Sequence, residues 1–591
     1  MIPVDNLFQW QPWASAADAK GIPYPHNALL SDLILENYPW KRFIDQNLSA
    51  GEIPLWNPNI LAGTPFLATG QHSAYYPFSL LFIALPLAKA YGWFTLSQLW
   101  LAGLFTYIFG RILGMRRASA AAAGFIFQGS GFLLVSSAVF PMILAAAVWL
   151  PLLLACSEKV IRNSTGRRGA GRTLPWAALG SLALGTQILA GHIEITYYTL
   201  LVTAVFGLWR LASRALQARR VGQGEQGKDS GGIAWAKLVL KPAGWLVGMA
   251  ALGILLGAIQ FIPFVEIGQA NFREGSASLA EIRGWAFPPR RILTLAMPDF
   301  YGNPADHEYF DVFTWRQVPF EKNYYDELNP RGAYTSDWGI KNYVEGGVYL
   351  GILSLALAFL GVYAAWRTMR DRRSEIGFFG LLAILSLSFI FGAPTYALLY
   401  YGLPGINQLH SPFRWVFPLS IGVAMLAGYG MDYLAATREE WLNQRPPGSI
   451  RPTRQSRLAS IILLNGRRSL VSWLAAAMFW SGVGLIAGLL LSRLAFSSIE
   501  PVVERLFLGL AQAADAFPDA RAFYSFQFQQ VLILAMMLIA GGLVVRASRT
   551  TISMLGRPLW RFAALALIIA DLFIAGYGFN DNTGNIQRGI A

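Results

Sequence analysis

Twelve apolar stretches, each near the length that crosses a bilayer, dominate the chain. They lie at 91–110, 118–138, 140–157, 174–190, 193–209, 243–265, 347–366, 376–392, 415–435, 469–491, 528–545 and 562–578. A membrane helix needs about 20 mostly apolar residues, because lipid gives backbone groups no partner outside the helix. The 591 residues are 54% hydrophobic and only 14% charged. A soluble domain carries about 25% charged residues, so the composition argues against an ordinary soluble enzyme. It excludes intrinsic disorder on the same ground. The expected fold class is an all-α polytopic membrane protein. The pairs 118–138/140–157 and 174–190/193–209 read as hairpins, and 78–87 is too short to span and reads as interfacial. The single cysteine, Cys156, lies in an apolar run. It excludes a disulfide framework and reads as a small hydrophobe.

Basic residues orient the bundle. With connections numbered alternately, 111–117, 158–173, 210–241, 367–373, 436–468 and 546–561 fall on one side and hold 30 of the 47 Lys and Arg. Positive charge marks the cytoplasm, so both termini are expected outside. The cytoplasmic side then carries eight acidic residues; the outer side carries 17 basic and 24 acidic ones. The net +14 is therefore a topology signal and no footprint of nucleic acid. Residues 1–77 contain no signal peptide. An outer N-terminus thus implies a first helix upstream of Met1, and the end at 579–591 also reads as cut.

The expected organisation has five parts: a first outer loop at 1–90, six helices over 91–265, a second outer loop at 266–346, six helices over 347–578 and a tail at 579–591. Both loops are rich in Pro, Trp, Tyr and Asn and should fold compactly. A smaller outer segment, 492–527, contains the amphipathic run VVERLFLGLAQAADAF, while 214–232 and 437–457 are polar linkers. All five histidines fall outside or at outer turns, so acid–base chemistry belongs to the outer face. No phosphate-cradling G-x-x-x-x-G-K-[ST], dinucleotide fingerprint or H-E-x-x-H occurs.

Within the first loop, Asp32 opens a short amphipathic helix with Glu36 one turn on. An Asp there is often only an N-cap. His72, in GQHSAYYP, closes the loop, most simply through a stabilising hydrogen bond. His192 and Glu194 lie in the tight turn GHIE at a bundle mouth. Glu345, in NYVEGG, sits where the second loop re-enters the membrane and is costly there unless paired. Arg414 and His410, in HSPFRW, mark the outer end of a span. Asp299 reads as a turn residue and Asp571 as a polar packing residue inside a span.

The ordered segments PVDNLFQWQPW, LLSDLILENYPWKRFI, GEIPLWNPNILAGTPFLATGQHSAYYP, LAGHIEITYYTLL, MPDFYG, NYVEGGVYLGIL and SPFRWVFPLSIGVAMLAGYGMDYL resemble the bacterial membrane protein YfhO family, which is related to GT-C glycosyltransferases. The Asp of LIIADLFIAGYG fits as well. The resemblance implies a GT-C-like bundle in the bacterial plasma membrane. It implies transfer of a sugar from a polyprenyl-phosphate donor to an outer acceptor, whether envelope glycan, lipid or protein. Such enzymes use a first-loop carboxylate as general base. On that pattern Asp32 is the candidate and Asp5 the runner-up. Glu36, His72, His192, Glu194, Glu345, Arg414 and His410 become substrate-binding candidates. Arg414 suits a bidentate phosphate contact, with His410, Arg290 and Arg291 weaker for that task. Trp56, Tyr75 and Tyr76 are candidates for stacking on sugar rings. GT-C enzymes carry a helix before this loop, which this chain lacks.

Asp32, Glu36, His72 and Glu345 offer oxygen and nitrogen ligands to a divalent metal, but their spacing does not demand one. Two other readings stay open: a lipid-linked-sugar flippase or transporter, for which glycines 129–131 inside a span speak, and a non-catalytic subunit of envelope assembly.

Overall fold

The computed structural model describes residues 3–15, 19, 26–164, 169–222, 236–269, 277–320, 338, 343–344, 346–409, 412–443, 469–510, 512–554 and 556–579. The tail past Phe579 and most of both polar linkers lie outside them. Every predicted apolar stretch is helical. In chain order the helices are Leu87–Ile112, Arg117–Gln128 with Gly131–Val139, Pro141–Ala147 with Leu150–Asn163, Gly169–Leu189, Ile193–Gly222, Lys241–Leu256 with Ala258–Gln269, Ile352–Arg367, Arg373–Ile390, Val416–Asn443, Leu470–Leu494, Ala520–Ala547 and Leu559–Gly576. Among the described residues eight helices are long and apolar enough to cross a membrane, or nine if one bent pair counts as a span. The chain is a multi-pass helical membrane protein.

Two helices make the core. The apolar window of Pro141–Asn163 is wholly buried and that of Pro412–Glu439 almost wholly. The apolar window of Leu470–Leu494, by contrast, is only 17% buried, and it turns Trp473 and Leu491 outward. That gradient suits a lipid solvent, where apolar side chains need no burial. Close helix approach is made by small residues. A Cβ on Gly430 would lie 1.8 Å from Leu357 O, and one on Gly361 would lie 2.1 Å from Leu426 O. Ile352–Arg367 therefore packs on the central helix backbone to backbone.

One predicted span is broken. Arg117–Gln128 and Gly131–Val139 meet at 43°. Gly129 ends the first piece, and the Ser130 side chain caps the second by accepting from Leu133 N. Gly131 N donates to Tyr349 O at 2.9 Å, so the 346–350 segment fills the break.

Asp571 has a structural task. Its carboxyl accepts from Tyr349 Oη at 2.6 Å and from Ile352 N at 2.8 Å. Ile352 is the first residue of its helix, so Asp571 caps an otherwise unsatisfied N–H across the bundle.

The basic connections meet at one end. Arg162 donates to Ile112 O at 2.9 Å, Arg210 pairs with Glu158 at 2.8 Å and with Glu375 at 3.0 Å, Arg116 reaches Glu439 at 2.8 Å, and Arg438 donates to Thr550 O at 3.2 Å. Both large loops lie at the opposite end, hereafter the loop face. There β3 (Glu308–Asp311) and β4 (Arg316–Pro319) form a hairpin against the start of Ala520–Ala547. Tyr301, Tyr309, Phe320, Phe517, Phe523 and Phe526 build a second aromatic core beneath it. The amphipathic run expected in 492–527 is divided: its first half lies in the helix Phe496–Gly509, whose Phe507 joins that core, and its second half holds a separate short helix, Ala513–Ala516.

Asp571→Ala should leave a buried phenol and a helix N-terminus unpaired. The expected cost is about 2–5 kcal/mol, read as a lowered unfolding midpoint in detergent, with Asp571→Asn intermediate.

Candidate functional site

The first loop begins with a knot of hydrogen bonds. Asp5 is buried and accepts from His26 N at 2.7 Å. The His26 ring contacts Gly578 O at 2.8 Å, and Asn27 Nδ2 donates to Phe579 O at 3.1 Å. His307 Nε2 closes the knot on His26 O at 2.6 Å. Asp5 thus ties the start of the loop to the last helix, a positional task that its sequence motif did not show.

Asn27, not Asp32, does the capping: its side chain accepts from Leu29 N at 3.0 Å. Asp32 lies inside the helical run, with φ −62° and ψ −27°, and makes no capping bond. The N-cap alternative for Asp32 is therefore overturned. The next turn, Leu33–Asn37, is π-helical, a widening common at functional sites. Leu33 and Ile34 are buried, while Asp32 is half-buried and Glu36 is exposed. Neither carboxylate has a hydrogen bond or ion pair with a described residue. Partial removal from water pushes both carboxyls up, and the Asp32 charge adds to the effect on Glu36. These are the properties a general base requires: an open lone pair and a raised proton affinity.

His72 is structural. Its Nδ1 accepts from Ala74 N at 3.0 Å, so Nε2 carries the hydrogen and donates to Phe66 O at 2.8 Å. The ring stacks on Phe66 at 4.1 Å. Beneath it lies Lys41, which the sequence did not single out. Its buried ammonium donates to His72 O at 2.7 Å and Ser79 Oγ at 3.3 Å and sits 4.6 Å over the Phe82 ring. Burial pushes Lys41 down to about 7, and burial with the Lys41 charge pushes His72 down to about 4. Tyr76 is also internal, donating to Gln98 Oε1 at 2.6 Å, and is closed to a sugar ring. Trp56 is exposed.

The loop then docks on the bundle. Ser73 Oγ donates to Ala190 O at 2.7 Å, and Gln260 Nε2 donates to Leu67 O at 2.9 Å. Gly70 and Gly191 touch through their backbones: a Cβ on Gly191 would lie 1.8 Å from Gly70 O. His192, next in the turn, accepts from Ile195 N at 3.3 Å and so starts the Ile193–Gly222 helix.

One turn further in, sequence-distant candidates meet. Glu194 Oε2 lies 3.6 Å from Arg414 Nε, both largely buried. Around the pair stand Tyr198, Tyr396 and Trp415. All three are buried, and among the described residues neither the phenols nor the indole N–H has a hydrogen-bond partner. Tyr198 and Trp415 rings are 5.5 Å apart, and Phe389 packs on Trp415 at 4.7 Å. Unmade buried hydrogen bonds are costly, so these donors in the neighbourhood of an ion pair are groups that acceptor atoms would satisfy. His410 and Glu345 lie outside the described residues. Among the described residues no three His, Cys, Asp or Glu come close enough to hold a metal ion.

In the second loop Asp299 accepts from Tyr343 Oη at 2.5 Å, which is more than a turn residue needs. Burial pushes both Asp299 and Asp306 up, and the Asp299 charge adds to the effect on Asp306. Arg291 is buried against the rings of Phe287, at 5.1 Å, and Tyr301, at 5.9 Å.

No protein-family model and no curated protein matches the chain. Among solved structures, the crystal structure of ArnT from Cupriavidus metallidurans in the apo state is 13% identical, with TM-score 0.34, and the match covers 85% of this chain and 72% of that one. The same protein bound to undecaprenyl phosphate is 14% identical, with TM-score 0.32, over 93% and 83%. Superpositions this loose carry no weight, and the site is read from its own residues.

The Lys41–His72 pair makes the first loop pH-sensitive. From about 4 to 6.5 the unfolded chain protonates His72 while the folded one does not; from about 7 to 10.5 the same holds for Lys41. The unfolded state binds more protons in both windows, so stability should rise with pH through each. Hydrogen-exchange protection of residues 38–85 should follow that course, and Lys41→Met should flatten the upper limb.

Proposed function

We propose that the chain is a membrane glycosyltransferase of the GT-C type, passing a sugar from a polyprenyl-phosphate donor to a hydroxyl acceptor at the loop face. The observation that carries this reading is Asp32: a half-buried carboxylate with raised proton affinity and no partner among the described residues, directly before a π-helical turn of the first loop. The family resemblance assigns the same residue. Asp32 accepts the acceptor's hydroxyl proton while that oxygen attacks the anomeric carbon. The bond from that carbon to the phosphate oxygen breaks, and the lipid phosphate leaves with the electron pair. The configuration inverts.

The leaving phosphate needs donors. Arg414, with the Tyr198, Tyr396 and Trp415 hydrogens around it, is the best-supplied set on the loop face. Glu194 holds the guanidinium in place until the phosphate competes for it. His192, Glu345 and His410 border this reading as substrate contacts, and His72 serves it by shaping the loop. The acceptor is an envelope glycan, a lipid or a protein. The loop face would then be extracytoplasmic in a bacterial plasma membrane, with both described ends on that side.

The second reading is a lipid-linked-sugar flippase, favoured by the broken helix at Gly129–Gly131. Broken helices are a transporter device. Labelled polyprenyl-phosphate sugars, supplied to the purified protein with envelope fractions, separate the two. We expect transfer that Asp32→Asn lowers by about 10²–10⁴-fold without loss of folding, with a smaller loss in Glu36→Gln. Activity should rise with pH through the raised Asp32 titration, because only the ionised carboxylate takes the proton. Full activity of Asp32→Asn would remove it as the base. Carrier movement in vesicles with no transfer from any donor would favour the flippase.

A further inference from the structure

The first loop carries a feature that glycosyl transfer does not use. Residues 53–88 contain no Asp, Glu, Lys or Arg. In this stretch β1 (Trp56–Asn57) pairs with β2 (Thr64–Pro65), and the hairpin tip points apolar side chains away from the protein. Leu61 is 87% exposed, Leu55 60% and Trp56 54%, with Ile53 and Ile60 beside them. Asn59 is the polar side chain exposed among them; Asn57 is buried and accepts from Asn59 N.

The tip is held in this posture at a cost. Leu61 and Ala62 have φ of 51° and 60°, and Gly63 has φ of 113°. Residues other than glycine rarely adopt such values, and they persist where surrounding structure enforces them. The enforcement is visible. The Trp56 ring lies over Gly63, where a Cβ would come within 2.7 Å of the ring. Gly63 N donates to Ile60 O at 2.8 Å, and Phe66 N donates to Leu55 O at 2.9 Å. A backbone strained to expose a leucine calls for something to receive it.

Position identifies the receiver. Directly after the hairpin, Leu67 O is held by Gln260 of the helix Ala258–Gln269. That helix exposes Ile259, Ile262 and Val265 on its outer surface, the lipid-facing surface of a peripheral helix. After the loop, Leu80 and Ile83 are exposed just before the helix Leu87–Ile112, which exposes Trp93 in its turn. The hairpin tip thus continues an apolar belt at the loop-face rim of the bundle. A tryptophan flanked by aliphatic side chains and free of charge matches the headgroup–acyl boundary, where an amphipathic ring and apolar neighbours are both satisfied. A glycan platform would instead set polar side chains around the ring.

We propose that the β1–β2 hairpin is a membrane-docking element whose Leu55, Trp56, Ile60 and Leu61 enter the lipid leaflet at the loop face. It would pin the first loop to the bilayer surface, so that loop and lipid-borne ligands share one plane. The proposal does not depend on the transferase reading.

The test uses the full chain in nanodiscs of phosphatidylcholine and phosphatidylglycerol. The native thiol, Cys156, is buried and out of reach of labels. Leu61→Cys carries an environment-sensitive fluorophore. Glu308→Cys, exposed on β3, is the aqueous reference, and Leu491→Cys is the lipid reference. Quenching by a lipid with a nitroxide high on its acyl chain is compared with quenching by aqueous iodide. We expect nitroxide quenching at Leu61→Cys several-fold above Glu308→Cys and close to Leu491→Cys, with iodide quenching correspondingly low. If Leu61→Cys fails to fold, Ile60→Cys reads the same tip. Iodide access equal to Glu308→Cys and indifference to the nitroxide would overturn the proposal. So would shielding that appears only on adding envelope glycan or protein, since the tip would then dock on that partner.

Discussion

The contact between Gly70 and Gly191 is the joint on which the arrangement depends. Both residues have positive φ, 75° and 84°, and each lies where a Cβ would meet the partner segment. Glycine alone supplies that conformation and that space. The contact brings the first loop down on the turn that starts the Ile193–Gly222 helix. Ser73, Leu67 and His72 then find their hydrogen bonds, and the loop closes over Lys41. Lys41 belongs to the helix that Asp32 leads into, so the joint fixes the carboxylate pair as well as the loop. Glu194 sits three residues past the same glycine. One backbone contact therefore links the first loop, which carries Asp32, to the turn that precedes Glu194.

The polar groups of the molecule divide by how completely they are satisfied. At the basic end Glu158 takes Arg162 and Arg210, and Arg210 also reaches Glu375. Asp571 spends both carboxyl oxygens on a phenol and a helix start. These groups hold helices together and leave little for chemistry. On the loop face Asp32 and Glu36 have no partner among the described residues, and Tyr198, Tyr396 and Trp415 carry hydrogens that none of those residues accepts. The division is not complete: Ser157 Oγ and Tyr429 Oη at the basic end also lack a hydrogen bond among the described residues, so the functional reading rests on the place of the loop-face groups beside an ion pair.

Much of the fold was legible in the sequence. Apolar length located all twelve helical stretches, because the period and the span requirement act locally. Breaks were harder. The glycines at 129–131 were visible, but their consequence depended on the 346–350 backbone entering the gap. At the site, the turn GHIE and the run HSPFRW were found separately. Their union as Glu194–Arg414 joins residues far apart in the chain, and no local pattern announces it. The capping reading of Asp32 failed because Asn27 starts the helix earlier. Lys41 gave no signal, since a lysine in an amphipathic helix reads as solvated; only tertiary packing puts it under Phe82. Tyr198 of LAGHIEITYYTLL was quoted in the sequence but became informative only once its phenol proved buried and without a hydrogen bond among the described residues, whereas the neighbouring Tyr197 donates to Pro404 O.

The central claim is that docking of the first loop on the bundle assembles the site. Gly191→Val tests it directly, with Gly207→Val, inside the helix that this turn starts, as a control that leaves the joint intact. Binding of a polyprenyl phosphate, the donor class of the proposed transfer, would be measured by native mass spectrometry together with protease sensitivity of residues 50–75. The account predicts that Gly191→Val keeps its helical content, exposes the loop to protease and loses the lipid phosphate, while the control retains both properties. A Gly191→Val protein with a protected loop and unaltered lipid binding would contradict it.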